Sequence, residues 1–381
     1  MKSIVSCPND FIDSVLYVDF GDRIKAAIRT SVKCYAFADL SGVRFCEEGN
    51  LAEPFHFKDH IFFFPKETLM RTRDFTVTFR FRAENEVFQK SGDVIFRDFS
   101  FDPDALSSYE EEFAKMDRGL VCKKRETGVV AKGAEYAIEH YETRAGEPVV
   151  VHAFLYDSKT FTMLCGTPQG TFDYRGQKET VMDTVNFEVS RGRDILAAFN
   201  ADFFDMFGDC APSGLCVKDG VVVANPQSDR YFFGVKKDGE HIIDTLAGKP
   251  RLLQELDQVV CGLNLLLEDG KVCDVAVGEL FGMRTHPRTV VGLTEDARVI
   301  ILVIDGRRPW HSNGATLREC AMLLKEHGAV RGVNLDGGGS STFIIKKEDG
   351  TREMLNHPAD LHRPFDDLVR DVFNSILIVK K

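Results

Sequence analysis

Val333-Asn334-Leu335-Asp336-Gly337-Gly338-Gly339-Ser340-Ser341-Thr342-Phe343-Ile344-Ile345 decides how the second half of the chain is built. A short apolar run ends at Asp336, three glycines turn the backbone, and a β-branched and aromatic run follows, so the block reads as strand, turn, strand. Glycine has no Cβ, which lets the backbone approach a ligand closely and aim N–H groups at an anion or a sugar oxygen. A P-loop is excluded: that motif opens a helix and carries a lysine, whereas these glycines open a strand and no lysine follows. Three glycines between strands are usually a hairpin. The polar residues beside them, Asn334 and Asp336 before and Ser340 and Ser341 after, exceed what a hairpin needs.

Working outward, Thr316-Leu317-Arg318-Glu319 has the form of a helix capping box; Leu317, Cys320, Ala321 and Leu324 share a helical face, and Gly328 stops it. Tight-turn signals recur at Arg144-Ala145-Gly146, Lys218-Asp219-Gly220, Lys237-Asp238-Gly239, Glu268-Asp269-Gly270 and Glu295-Asp296-Ala297, so most strands should be antiparallel neighbours. The expected fold class is α+β: a mixed, mainly antiparallel sheet with few helices.

The first hundred residues read as a β-rich accessory module, because Asp74-Phe75-Thr76-Val77-Thr78-Phe79-Arg80-Phe81-Arg82 alternates apolar with polar and Ile61-Phe62-Phe63-Phe64-Pro65 reads as a more buried strand. Aromatics at strand spacing are usually core; glycan binding is the alternative. Ser107-Ser108-Tyr109-Glu110 resembles a second capping box, with Tyr109, Phe113 and Met116 at helical spacing. The expected division is an accessory module over 1–105, a connecting helix and polar linker over 106–127, and a second domain over 128–381.

With 381 residues, 44% hydrophobic and 28% charged, the chain has the composition of a globular protein with room for more than one domain. A formal net charge of -11 repels phosphate backbones, so a nucleic-acid partner is disfavoured and any anionic substrate must be held by a few local cations. No apolar run is long enough to span a membrane or serve as a signal peptide. As the sequence stands the expected location is cytoplasmic, or extracellular if an export signal has been removed. The ten cysteines include no CxxC pair and no zinc-type cluster, and read as reduced thiols.

Several segments, in order, resemble the phosphodiester glycosidases, the family of the uncovering enzyme that removes N-acetylglucosamine from mannose phosphate. They are Asn200-Ala201-Asp202-Phe203-Phe204, Arg288-Thr289-Val290-Val291-Gly292, Asp305-Gly306-Arg307, Ser312-Asn313-Gly314-Ala315-Thr316-Leu317, Asn334 to Ser340, Asn356-His357-Pro358, and Arg370-Asp371-Val372-Phe373-Asn374. The likeness covers roughly residues 128 to 379; the commoner glycine after the first asparagine is here Ala201. It implies hydrolysis of a sugar-1-phosphodiester such as one of N-acetylglucosamine, releasing free sugar and a phosphomonoester. A non-catalytic binding or structural module for phosphorylated cell-surface glycans is the alternative.

Such chemistry has a good leaving group and needs a carboxylate to activate water or stabilise an oxocarbenium-like transition state, with cations for the phosphate. The carboxylate candidates are Asp336, Asp305 and Asp202. Arg288 and Arg307 are the phosphate clamp, unless they are structural ion pairs to those aspartates, and Arg284 and Arg308 stand behind them. Asn200, Asn334, Gly337, Gly338, Gly339, Ser340 and Ser341 complete the substrate-binding set. His286, His311 and His357 are candidate proton carriers or hydrogen-bond partners, and Trp310 a stacking surface. No definite cofactor is indicated; a divalent cation, Mg²⁺ or Ca²⁺, on oxygen ligands stays open, as do oligomeric state and stereochemical outcome.

Overall fold

The computed structural model describes residues 118–206, 208–225, 230–273, 285–359 and 369–381, together with eight strands between residues 12 and 108. The chain divides into two compact units, Met1–Asp117 with Glu279–Phe281, and Arg118–Gly278 with Gly282–Lys381.

Among its described residues the first unit holds two four-stranded sheets. In one, Asp59–Pro65 pairs with Arg23–Thr30, and Phe62 lies opposite Ala26 with both buried. In the other, Thr76–Arg82, the strand with the regular alternation, sits between Tyr35–Leu40 and Val94–Ser100. Ser107 and Ser108 are a short strand paired parallel to Val18 and Asp19 rather than a helix cap. Residues 109–117, the body of the expected connecting helix, lie outside the described residues. The polar stretch Cys122–Thr127 is part of an eleven-residue strand, Val121–Ala131. That strand is an edge of its sheet and exposed along its first half, which accounts for its Lys123, Lys124 and Arg125.

The expected α+β class is not what the chain forms; the second unit is sheet-dominated. Three sheets, of eight, five and five strands, surround one core, and every strand pairing within them is antiparallel. Two α-helices occur among the described residues, Val181–Ser190 and Leu317–Glu326. The physical reason is that the sheets cover one another. Phe154 from the eight-stranded sheet packs on Phe199 at 5.7 Å, and Phe199 stacks on Phe343 at 4.7 Å within the first five-stranded sheet. Phe233 and Val260 close the core from the second five-stranded sheet. Burying each such ring contributes on the order of 2 kcal/mol.

The helices are patches on outer faces. Leu317–Glu326 starts with the complete Thr316/Glu319 capping box and lays Leu324 over Gly292 and Gly332, whose missing side chains make room for it. Val181–Ser190 packs Val181 and Val185 against Ala198, Ile344 and Leu377. The hairpin signals fall on turns where the sequence puts them: Asp219, Asp269 and Ala297 each take a left-handed φ.

Candidate active site

Antiparallel register brings distant segments to one end of the eight-stranded sheet. Arg288 pairs with Ile304, Val290 with Asn334, and Val151 with Ile304, so the start of Arg288–Thr294, the end of Arg298–Ile304, the end of Ala329–Asn334 and the start of Pro148–Asp157 are level. Asp305 and the glycine turn leave from those ends.

Asp305 is buried and fully engaged. Its Oδ2 lies 2.9 Å from His152 Nε2 and 2.9 Å from His311 Nε2, and its Oδ1 accepts the His357 backbone N–H at 2.9 Å. Burial disfavours the charge, but the hydrogen bonds to His152 and His311 outweigh it and bring the carboxyl down to about 2. Asp305 is therefore a fixed anion that orients imidazoles. His311 is partly open to solvent and meets His357 edge-on at 4.6 Å. Ser312 locks the same loop, donating to the Asp305 carbonyl at 2.6 Å and accepting from the Val150 N–H.

The glycine turn fits against this loop with no room for side chains. A Cβ on Gly337 would lie 2.5 Å from the Pro287 carbonyl oxygen, and one on Gly306 2.6 Å from the Pro287 nitrogen. Gly338 donates to the Pro287 carbonyl and has φ +62, and its Cβ would fall 2.9 Å from Arg307 Nη2. Arg307 itself holds a left-handed φ of 62 and donates from Nη1 to the Ala359 carbonyl. A non-glycine residue in that region stores strain, which is characteristic of functional positions.

Asp336 stands at the mouth of the turn, half-buried. Its backbone is held on both sides, the N–H by the Ala201 carbonyl and the carbonyl by Asn200 Nδ2 at 2.6 Å, and its Oδ1 accepts the Gly337 N–H at 2.8 Å. Desolvation pushes the carboxyl up to about 6, against the opposing pull of Ser340, Arg370, the Gly337 N–H and Arg307. A carboxyl poised there suits proton transfer near neutral pH.

The remaining expected residues divide. Asn200 is a brace: besides holding Asp336 it accepts from Thr289 Oγ1 and from the Thr342 N–H. Asp202 lies beneath the site, accepting the Cys261 N–H at 2.6 Å while its own N–H donates to Asn374 Oδ1; burial pushes its carboxyl well above the ordinary value. Thr289 faces Asn200, so Arg288, the next residue along the strand, points the other way and donates from Nε to the Ala315 carbonyl. Burial lowers its guanidinium to about 10. The expected clamp is therefore split, with Arg307 against the turn and Arg288 under the Ala315 loop. Asn334 and Ser341 are fully buried, and neither the Asn334 amide atoms nor Ser341 Oγ has a hydrogen-bond partner among the described residues. Gly339 and Ser340 continue the turn as a single 3₁₀ turn.

Sequence reading missed three contributors. His152 sits mid-strand, where no local motif marks it. Arg370 opens the Arg370-Asp371-Val372-Phe373-Asn374 segment, but its effect on Asp336 is legible only in three dimensions. Arg118 gives Glu319 two contacts at 2.7 Å and the Gly314 carbonyl one at 2.8 Å, buttressing the loop that carries Ala315. Among the described residues no three His, Cys, Asp or Glu side chains converge as a metal site, and no helix is long and apolar enough to cross a membrane.

Residues 193–379 match the model of the family described as phosphodiester glycosidase. The N-acetylglucosamine-1-phosphodiester alpha-N-acetylglucosaminidase of Bos taurus is 26% identical over 248 residues, covering 60% of this chain and 42% of the bovine protein. That of Mus musculus is 29% identical over 180 residues, 43% of this chain and 33% of the mouse protein. The chain thus spans less than half the length of these curated relatives. Among solved structures, the zebrafish N-acetylglucosamine-1-phosphodiester alpha-N-acetylglucosaminidase catalytic domain, auto-inhibited by its pro-peptide, shares the fold. It has a TM-score of 0.53 and 22% identity, over 68% of this chain and 88% of that one.

Proposed function

We propose that this chain, which through residues 193–379 belongs to the phosphodiester glycosidase family, hydrolyses the bond between a sugar's anomeric carbon and a phosphodiester, yielding free sugar and a phosphomonoester. The observation that carries this reading is the pairing of a carboxyl raised to about 6, Asp336, with a guanidinium, Arg307, held against the glycine turn.

In this reading Arg307, held beside the glycine turn, takes the phosphate, which leaves as a weak base and needs little protonation. Asp336, ionised above pH ~6, takes a proton from the attacking water or stabilises positive charge at the anomeric carbon. Asp305 keeps His311 oriented at the rim, where it exchanges protons with phosphate oxygens or solvent. The substrate class follows the activity in the names of the bovine and mouse relatives, an N-acetylglucosamine-1-phosphodiester.

The test is to incubate the full chain with UDP-N-acetylglucosamine and with an alkyl phosphodiester of N-acetylglucosamine-1-phosphate, measuring free sugar. Release that disappears in Asp336→Asn supports the reading. Binding of both compounds by calorimetry with no sugar released makes the domain a binding module and ends it.

A further inference from the structure

Behind the site, Cys165 from the strand Phe161–Gly166 and Cys216 from the strand Cys216–Lys218 face each other across the core from different sheets. Their sulfurs are 3.7 Å apart in an S–H···S hydrogen bond. Asn374 spans both, its Nδ2 3.6 Å from Cys216 Sγ and 4.0 Å from Cys165 Sγ. A buried lysine completes the environment: Lys218 Nζ donates to the Cys165 carbonyl at 3.3 Å and to Thr167 Oγ1 at 3.0 Å. An amide N–H and a second thiol therefore reach the Cys165 sulfur, and a cation sits on the carbonyl of the same residue. The contrast within the same domain is Cys320, whose thiol burial pushes up to about 12, whereas the hydrogen bond from Cys216 draws Cys165 below the ordinary thiol value.

We propose that Cys165 and Cys216 are a peroxide-oxidisable dithiol that closes to a disulfide stapling two sheets and reports its state to the active site through Asn374. Hydrogen peroxide, a neutral oxidant little larger than water, is the reagent class that suits so enclosed a pair. The Cys165 thiolate attacks one peroxide oxygen, the O–O bond breaks, and the departing oxygen leaves as water after taking a proton, giving a sulfenic acid. The Cys216 sulfur then attacks the Cys165 sulfur, the S–O bond breaks, and a second water leaves with the Cys216 proton. Two thiols are oxidised and one peroxide is reduced to two waters. Closure shortens the S–S separation from 3.7 Å to about 2.05 Å and displaces the sulfurs that accept the Asn374 N–H. Asn374 Oδ1 holds the Asp202 N–H, and Asp202 adjoins Ala201, whose carbonyl holds Asp336, so the displacement has a short path to the carboxyl.

The experiment treats the full chain with hydrogen peroxide and maps the product by peptide mass spectrometry. The expected result is a cross-linked pair of peptides carrying Cys165 and Cys216, lighter by two hydrogens and restored by dithiothreitol. In Cys216→Ser, oxidation stops at a Cys165 sulfenic acid trapped by dimedone, and Cys122→Ser, which removes an exposed thiol, behaves as the parent. Both sulfurs remaining alkylatable after denaturation, or a disulfide formed to a different cysteine, overturns the proposal. The link to the site rests on the proposed hydrolysis and is read separately: turnover falls at least tenfold on closure and returns on reduction. A mapped disulfide with unchanged turnover overturns that link alone. If no sugar phosphodiester is cleaved at all, the peptide map still decides whether the dithiol exists.

Discussion

His152 Nε2 meets Asp305 Oδ2 at 2.9 Å although the two residues are 153 positions apart, and both side chains are almost wholly excluded from water. The contact arises because His152 is directly opposite Val303 in the ladder, so Asp305, two residues on, projects from the same face. The charge of Asp305 organises the rim from below.

Asp305→Asn should leave a folded protein in which His152 and His311 lose their shared anion. Sugar release is expected to fall by a factor of about 10² to 10⁴, the range for a disrupted acid–base group. For stability the sign is the usual carboxylate one: the folded pKa of about 2 is below the unfolded value of about 4. The stabilising contribution is complete above pH ~4 and is lost as pH falls through ~2. Thermal melts of the parent and the variant across that window should converge at its acid end.

Asp336 has the opposite sign. Its folded pKa of about 6 is above the unfolded value, so its contribution to stability is full below pH ~4 and lost as pH rises through ~6. Asp336→Asn should accordingly stabilise the fold at pH 7.5 by up to about 3 kcal/mol, reduced by the solvent that reaches the half-buried side chain. It should also abolish turnover. In the parent, kcat/KM rises with pH through about 6 and levels off above it; a flat profile across that range would remove Asp336 from the base role.

Asp202→Asn separates a brace from a reacting group. The Asp202 carboxyl is buried and biased toward its neutral form, and an amide of the same shape still accepts the Cys261 N–H. Turnover within about tenfold of the parent is expected, far above that of Asp336→Asn. An equal loss in both variants would return Asp202 to the catalytic set.

Gly338→Ala adds a methyl 2.9 Å from Arg307 Nη2 at a left-handed position, for a backbone cost of about 1–2 kcal/mol. Because the displaced group is the proposed phosphate cation, KM should rise with the aglycone phosphate charge while kcat changes less, in steady-state kinetics on UDP-N-acetylglucosamine. An unchanged KM would place the phosphate elsewhere.

The hairpins, the Leu317–Glu326 helix and the strand–turn–strand around the glycines were legible because each is written locally, in turn residues, a capping box and alternation. The number and closure of the sheets were not. Ala197–Asn200 gives no local sign that it pairs with residues 343–345 on one side and 375–378 on the other. The same limit applied to the site. Asp305, Asp336 and Arg307 stand beside glycines that betray them, whereas His152 carries no such mark. The facing of Arg288 followed from the Thr289–Asn200 contact between two sheets, and a strand read alone leaves both faces open.

The strand Ser375–Lys380 lies between Phe161–Gly166 and Ala197–Asn200. Its two neighbours are synthesised long before it, and neither can complete its ladder until it arrives. On a translating ribosome they would wait with an empty slot between them, offering unpaired backbone edges to any extended segment nearby. The interval between making the neighbours and making the strand that joins them is when this domain is most exposed to mispairing, and where a chaperone holding β-edges apart would act.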